Sequence, residues 1–126
     1  TKYCTYEEFG AYIVTWNCNM VNPEMINEKE VERMFNFSRD DVDVVIVCLQ
    51  EMVELNSYNV ILGNNDTITQ TWRKVLWNHI NSHDPRIAEG KAHQSKRYDY
   101  LTGHDLVGIS TFVFVNAKVI DRVNDI

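Results

Sequence analysis

The chain has 126 residues, of which 44% are hydrophobic and 24% charged, and twelve Lys and Arg against eighteen Asp and Glu leave a net charge of -6. That length suits one ordinary domain, and the balance excludes disorder, collagen and coiled coil. No apolar run reaches the roughly 20 residues of a membrane-spanning helix, and the net acidity opposes binding to nucleic acid, whose partners usually carry a basic face.

The sequence opens at Thr1 with no charged-then-apolar leader, so no signal peptide is expected. Ala11-Tyr12-Ile13-Val14-Thr15-Trp16-Asn17 is rich in β-branched and aromatic residues and reads as a strand ending at a polar turn. Pro23 stops its continuation. From Glu24 to Phe37, the apolar residues Met25, Ile26, Val31, Met34 and Phe35 stand among charges, the pattern of an amphipathic helix. Asp43-Val44-Val45-Ile46-Val47-Cys48-Leu49 is a continuous apolar run too short for a typical helix and reads as a strand buried on both faces. Asn56 to Asn65 is loop-like, and Asn65 or Asp66 could cap a helix. Ile68, Trp72, Val75, Leu76 and Ile80 then recur at helical spacing between Thr67 and His83, and Pro85 ends that helix. Asp84 to Ser95 is polar and reads as a mobile loop, followed by strands over Tyr98–Leu101 and Leu106–Val115. The last residues, Val119 to Ile126, alternate like a strand with no closing turn.

Strand, helix, strand, helix, strand, strand is an α/β order with helices packed on a sheet. Two helices cover one face of such a sheet and leave the other bare. With both ends reading as cut, the chain is expected to be part of a larger domain. Cys4, Cys18 and Cys48 are odd in number and lack close pairing, so no disulfide framework is expected, and a reducing cytoplasm suits them. Cys48 reads as a small buried hydrophobe. The triplets Asn36-Phe37-Ser38 and Asn65-Asp66-Thr67 would matter only in a secreted chain.

Asn17 and Glu51 close the first two strands, and ligand sites in open α/β sheets form outside strand carboxyl ends. A carboxylate and an amide oxygen delivered side by side suit a hard divalent cation. Spacing alone favours Glu51 as a water-facing strand end. His79 and His83 have the i, i+4 spacing of a zinc pair but no third ligand, so they read as a polar helix face. His104-Asp105 could be an acid–base pair, but Thr-Gly-His-Asp reads better as a hairpin turn. Lys91, His93, Lys96 and Arg97 read as a solvated loop, and Trp16, Trp72 and Trp77 as core. No P-loop, Gly-x-Gly-x-x-Gly or Gly-x-Ser-x-Gly motif occurs.

Taken together, Tyr12-Ile13-Val14-Thr15-Trp16-Asn17, the block Asp43 to Asn56 with its Leu-Gln-Glu-Met-Val-Glu-Leu-Asn ending, the helix around Trp72, and Leu106-Val107-Gly108-Ile109-Ser110-Thr111-Phe112-Val113-Phe114-Val115 resemble the inositol polyphosphate 5-phosphatases. Trp-Asn or Gln-Glu alone is shared with the wider endonuclease/exonuclease/phosphatase superfamily; the extended block resembles the phosphatase branch. The resemblance implies a four-layer α/β sandwich, two central mixed sheets flanked by helices, of which residues 1–126 would form the N-terminal portion. It implies Mg²⁺-dependent removal of the 5-phosphate from inositol polyphosphates or phosphoinositide lipids. Glu51 matches that family's metal-binding glutamate, and Asn17 its active-site asparagine beside the metal and phosphate. No nucleic-acid partner is implied; peripheral contact with membrane surfaces is, from a cytoplasmic location.

The departures are as specific. The family's Gly-Asn-Lys-Gly, Trp-x-Gly-Asp, Pro-Ala-Trp-Cys-Asp-Arg and Asp-His blocks do not occur here. By the same resemblance they carry the water-activating aspartate, the phosphate-facing histidine and most basic contacts. The remainder of the catalytic domain is therefore an expected partner, and the 126 residues alone are expected to be inactive. The alternatives are a non-catalytic module pairing with another chain through its unfinished sheet, or a nuclease or sphingomyelinase branch.

Overall fold

A computed structural model describes residues 7–53, 66–82, 97–106 and 108–123. The expectations for residues 56–65 and 84–95, for Cys4 and His83, and for Lys91, His93 and Lys96 lie outside them.

Four strands form one mixed sheet: β1 (Ala11–Asn17), β2 (Val44–Gln50), β3 (Tyr98–Leu106) and β4 (Ile109–Asn116), in the order β1-β2-β4-β3. β1 and β2 are parallel, with Val14 opposite Val47 and Asn17 opposite Gln50. β4 runs antiparallel to both β2 and β3. The carboxyl ends of β1, β2 and β3 therefore share one edge of the domain. The helices α1 (Glu28–Met34) and α2 (Asp66–Ser82) contribute Val31, Trp72, Leu76 and Ile80 to the same buried cluster as Val14, Val45, Val47, Leu49, Phe112 and Phe114. Those sheet residues alternate along their strands, so both helices lie on one face. Each such side chain buried contributes about 1.5–3 kcal/mol. Trp16 meets Trp72 edge to face at 5.4 Å within this layer, so these tryptophans are core, as their sequence context suggests.

The helix expected over Glu24–Phe37 is broken. A 3-10 turn, Pro23–Met25, follows Asn22, Ile26 is extended at φ -69 and ψ 148, and Asn27 restarts the helix by accepting the Lys29 N–H at 3.0 Å. An N-cap needs a non-helical backbone, so a cap at Asn27 forbids one continuous helix through it. Val119 to Arg122, expected as strand, instead enters a 3-10 turn, Ile120–Arg122.

β2 is not buried on both faces. Val45, Val47 and Leu49 have no exposure, whereas Val44, Ile46 and Cys48 alternate with them and remain half-buried. On β1, Ile13 is 63% exposed. Among the described residues no layer covers this second face. Cys48 is thus a half-buried residue of the open face, where the Thr111 hydroxyl donates to its Sγ at 3.8 Å, and the fully buried thiol is Cys18.

Thr102-Gly103-His104-Asp105 is not a turn. It continues β3, with Gly103 opposite Phe112 and His104 opposite Thr111 after an irregularity at Tyr100/Thr102. Gly103 is there because a Cβ would lie 2.7 Å from the Tyr100 hydroxyl and 2.6 Å from the Thr111 carbonyl oxygen. Cross-strand pairing overrides the turn-forming composition. The reversal falls one step later, at Gly108, whose φ of 73 suits glycine.

Candidate active site

β1 and β2 deliver Asn17 and Glu51 to the shared carboxyl end, one register step apart. Both side chains are exposed. After Asn17 the chain turns tightly: the Asn17 Oδ1 accepts the Asn19 N–H at 2.9 Å, and the Cys18 carbonyl accepts the Val21 N–H at 2.9 Å. This turn is stitched to the end of β2. The Cys18 N–H donates to the Gln50 carbonyl at 2.8 Å, and the Met20 N–H donates to the Glu51 carbonyl at 2.7 Å. On the other side, the Met52 N–H donates to the Gly108 carbonyl at 3.1 Å.

The backbone here is unusual. Asn19, Met20 and Glu51 have φ of 46, 59 and 49, and Gly108 has 73; these are the positive-φ residues among those described, and all four gather at this end of the sheet. For a side chain with a Cβ the left-handed region costs about 1–2 kcal/mol. Strain of that kind persists where surrounding bonds over-determine it, and such places cluster at functional sites.

Among the described residues nothing bonds or pairs with the Glu51 carboxylate, so its oxygens are open to a ligand. The Asn17 amide oxygen keeps one lone pair after accepting from Asn19, and the Asn17 Nδ2 donates to none of the described residues. A hard divalent cation accepts this donor set, because Mg²⁺ is commonly held by one or two carboxylates with water and substrate phosphate completing the shell. The described residues contain no group of three or more His, Cys, Asp or Glu able to hold a metal. They supply two exposed oxygen donors, Asn17 and Glu51, at neighbouring register positions.

Beside this corner, Cys18 is 3% exposed and burial pushes its thiol up to about 12, which makes it an inert packing group. His104 and Asp105 end β3 at the same edge; the Ser110 hydroxyl donates to the Asp105 carboxylate at 2.7 Å, and His104 stands on the open face in the row Thr15, Cys48, Thr111. They do not form an acid–base pair, because adjacent strand residues point to opposite faces. Arg97, from the basic stretch, is ion-paired with Asp40 at 2.6 Å. The left-handed Met20 and the contact from Gly108 are not legible in the sequence; the glycine of Leu-Val-Gly is their one visible signal.

The sequence model of endonuclease/exonuclease/phosphatase family 2 matches residues 14–126, and the chain belongs to that family. The type IV inositol polyphosphate 5-phosphatase 9 of Arabidopsis thaliana is 20% identical over 122 residues, covering 91% of this chain and 29% of that protein. The fold also matches the crystal structure of the inositol polyphosphate 5-phosphatase domain of SPsynaptojanin, in complex with inositol (1,4)-bisphosphate and calcium ion. That match has a TM-score of 0.66 at 16% identity and covers 91% of this chain and 29% of the other. The α/β architecture is thus the one expected, and the chain spans less than a third of the length of either relative.

Proposed function

We propose that this chain forms the N-terminal part of the catalytic domain of an inositol polyphosphate 5-phosphatase, a Mg²⁺-dependent phosphomonoesterase acting on inositol polyphosphates or phosphoinositide lipids. The observation that carries the reading is Glu51: an unpartnered carboxylate among the described residues, on a left-handed backbone, beside Asn17 at the carboxyl end of two parallel strands. The family membership and the inositol bisphosphate in the related structure support the substrate class.

A divalent cation at this corner supplies charge neutralisation for the phosphoryl oxygens and the leaving oxygen. Glu51 provides the anionic oxygen that holds it, and Asn17 adds its amide oxygen. The Asn17 Nδ2 is left to donate toward a phosphate oxygen, which orients the substrate. Phosphoryl transfer depends chiefly on such positioning and electrostatics. By the family resemblance, the water-activating group and most cationic contacts belong to sequence blocks that these 126 residues do not contain, so the chain is expected to be inactive alone and to work as part of the complete domain. A cytoplasmic enzyme of this kind meets phosphoinositides at membrane surfaces.

The test is phosphate release by the complete protein from a 5-phosphorylated inositol in Mg²⁺, with 4-phosphorylated inositol and DNA as controls. Turnover confined to the 5-phosphate is expected. Turnover of either control instead would refute the reading. Glu51→Gln should reduce turnover at least a hundredfold, because a neutral amide holds the cation poorly.

A further inference from the structure

Glu51 sits where a strand ends, yet it is not free to choose its backbone conformation. Its carbonyl is held by the Met20 N–H at 2.7 Å, the carbonyl before it by the Cys18 N–H at 2.8 Å, and the amide after it by the Gly108 carbonyl at 3.1 Å. Two of those three partners stand on residues that are themselves left-handed, Met20 at φ 59 and Gly108 at φ 73. The turn after β1 and the β3–β4 hairpin thus grip the same peptide from opposite sides. Each grip depends on a backbone conformation that most side chains resist.

We propose that Met20 and Gly108 are positioning residues for Glu51: their left-handed turns clamp its backbone at φ 49 and so fix the aim of its carboxylate toward a divalent cation. The clamp rests on Glu51 being a cation ligand, the reading proposed for this site. Relaxing either turn releases one of the bonds that over-determine Glu51. The residue then drifts toward the ordinary extended region, and the carboxylate turns with it. Met20 is 52% exposed, so exchanging its side chain tests its backbone without opening the core.

The measurement is calorimetric titration of Mg²⁺ into the complete protein, alongside thermal melts and the Mg²⁺ dependence of phosphate release. Gly108→Ala and Met20→Val disfavour the left-handed turn and should each weaken Mg²⁺ binding about tenfold while the protein remains folded. Gly108→Asn, which tolerates that region, should bind within about twofold of wild type, as should Met20→Gly. Affinity unchanged in Gly108→Ala and Met20→Val, with only the melting temperature lowered, overturns the clamp and leaves the ligand assignment standing. Equal loss in Gly108→Ala and Gly108→Asn also overturns it, because conformation would then not be what matters. Glu51→Gln separates the two layers: if it binds Mg²⁺ like wild type, the ligand assignment fails and the clamp with it.

Discussion

At the amino ends of β1, β2 and β3, many polar groups hold elements together. Asn81 accepts from the Arg97 and Tyr98 amides at 2.8 and 2.9 Å and donates to the Trp77 and Tyr98 carbonyls at 2.9 and 3.1 Å. The Tyr98 hydroxyl donates to the Val42 carbonyl at 2.7 Å, and the Gly10 amide donates to the Asp43 carboxylate at 2.9 Å. Arg39, 4% exposed, donates to the carbonyls of Phe35, Phe37 and Ile80 and lies 4.2 Å over the Phe37 ring. At the carboxyl ends the pattern is reversed: Glu51 and the Asn17 Nδ2 have no described partner, and the backbone is strained at three non-glycine residues. One end of the sheet is tied together by its polar groups; the other leaves two of them for the proposed ligand. Proteins draw functional sites from the less stable end of this range.

The contrast can be broken by substitutions at either end. The largest effect is expected for Arg39→Ala, which strips three carbonyls, two of them in buried bonds, of a charged donor and should cost about 3 kcal/mol in denaturant unfolding; a loss under about 1 kcal/mol would show that these bonds are idle. Asn81→Ala should follow at about 2 kcal/mol, since it orphans the start of β3 on both its donor and acceptor sides. Cys18 makes a smaller, pH-dependent contribution. Its folded thiol is raised from 9.0 to about 12, so that contribution is complete below pH 9 and declines as pH rises toward 12. At pH 10 the loss should be about 1 kcal/mol, and it should vanish in Cys18→Ala. The smallest change carries the opposite sign. Glu51→Gly relieves a left-handed residue and should raise stability by about 0.5–1 kcal/mol while removing the proposed ligand; a destabilised Glu51→Gly protein would mean that the backbone there is not strained.

How legible each end is in the sequence follows the same division. β1 can be read with its observed bounds and β2 within a residue, because β-branched runs and strand periodicity are local signals. The long helix α2 is visible in the spacing of Ile68, Trp72, Leu76 and Ile80. Asn17 and Glu51 can be singled out as strand-end residues. The conformation of Glu51 cannot, since it is imposed by Met20 and Gly108, thirty-one and fifty-seven positions away. Arg39 is equally hidden: nothing local marks an arginine as buried when two of its carbonyl partners are neighbours in sequence and the third, Ile80, belongs to a distant helix. The break at Ile26 escapes a reading by apolar spacing, because the capping power of Asn22 and Asn27 outweighs that spacing.

The strand order also bears on how the molecule is made. In this sheet β3 and β4 are neighbours in sequence as well as in space, whereas β2 must meet β1 across an intervening helix and β4 across α2 and β3. Closing short loops costs less chain entropy than closing long ones. The hairpin around Gly108 is therefore expected to pair early, with β2 entering between β4 and β1 afterwards. Pulse-labelled amide exchange during refolding should find the β3–β4 amides protected before those of β1; the reverse order would contradict it. On that schedule Glu51 reaches its final conformation only when the central strand docks, so the corner proposed to hold the cation is among the last parts of the chain to take shape.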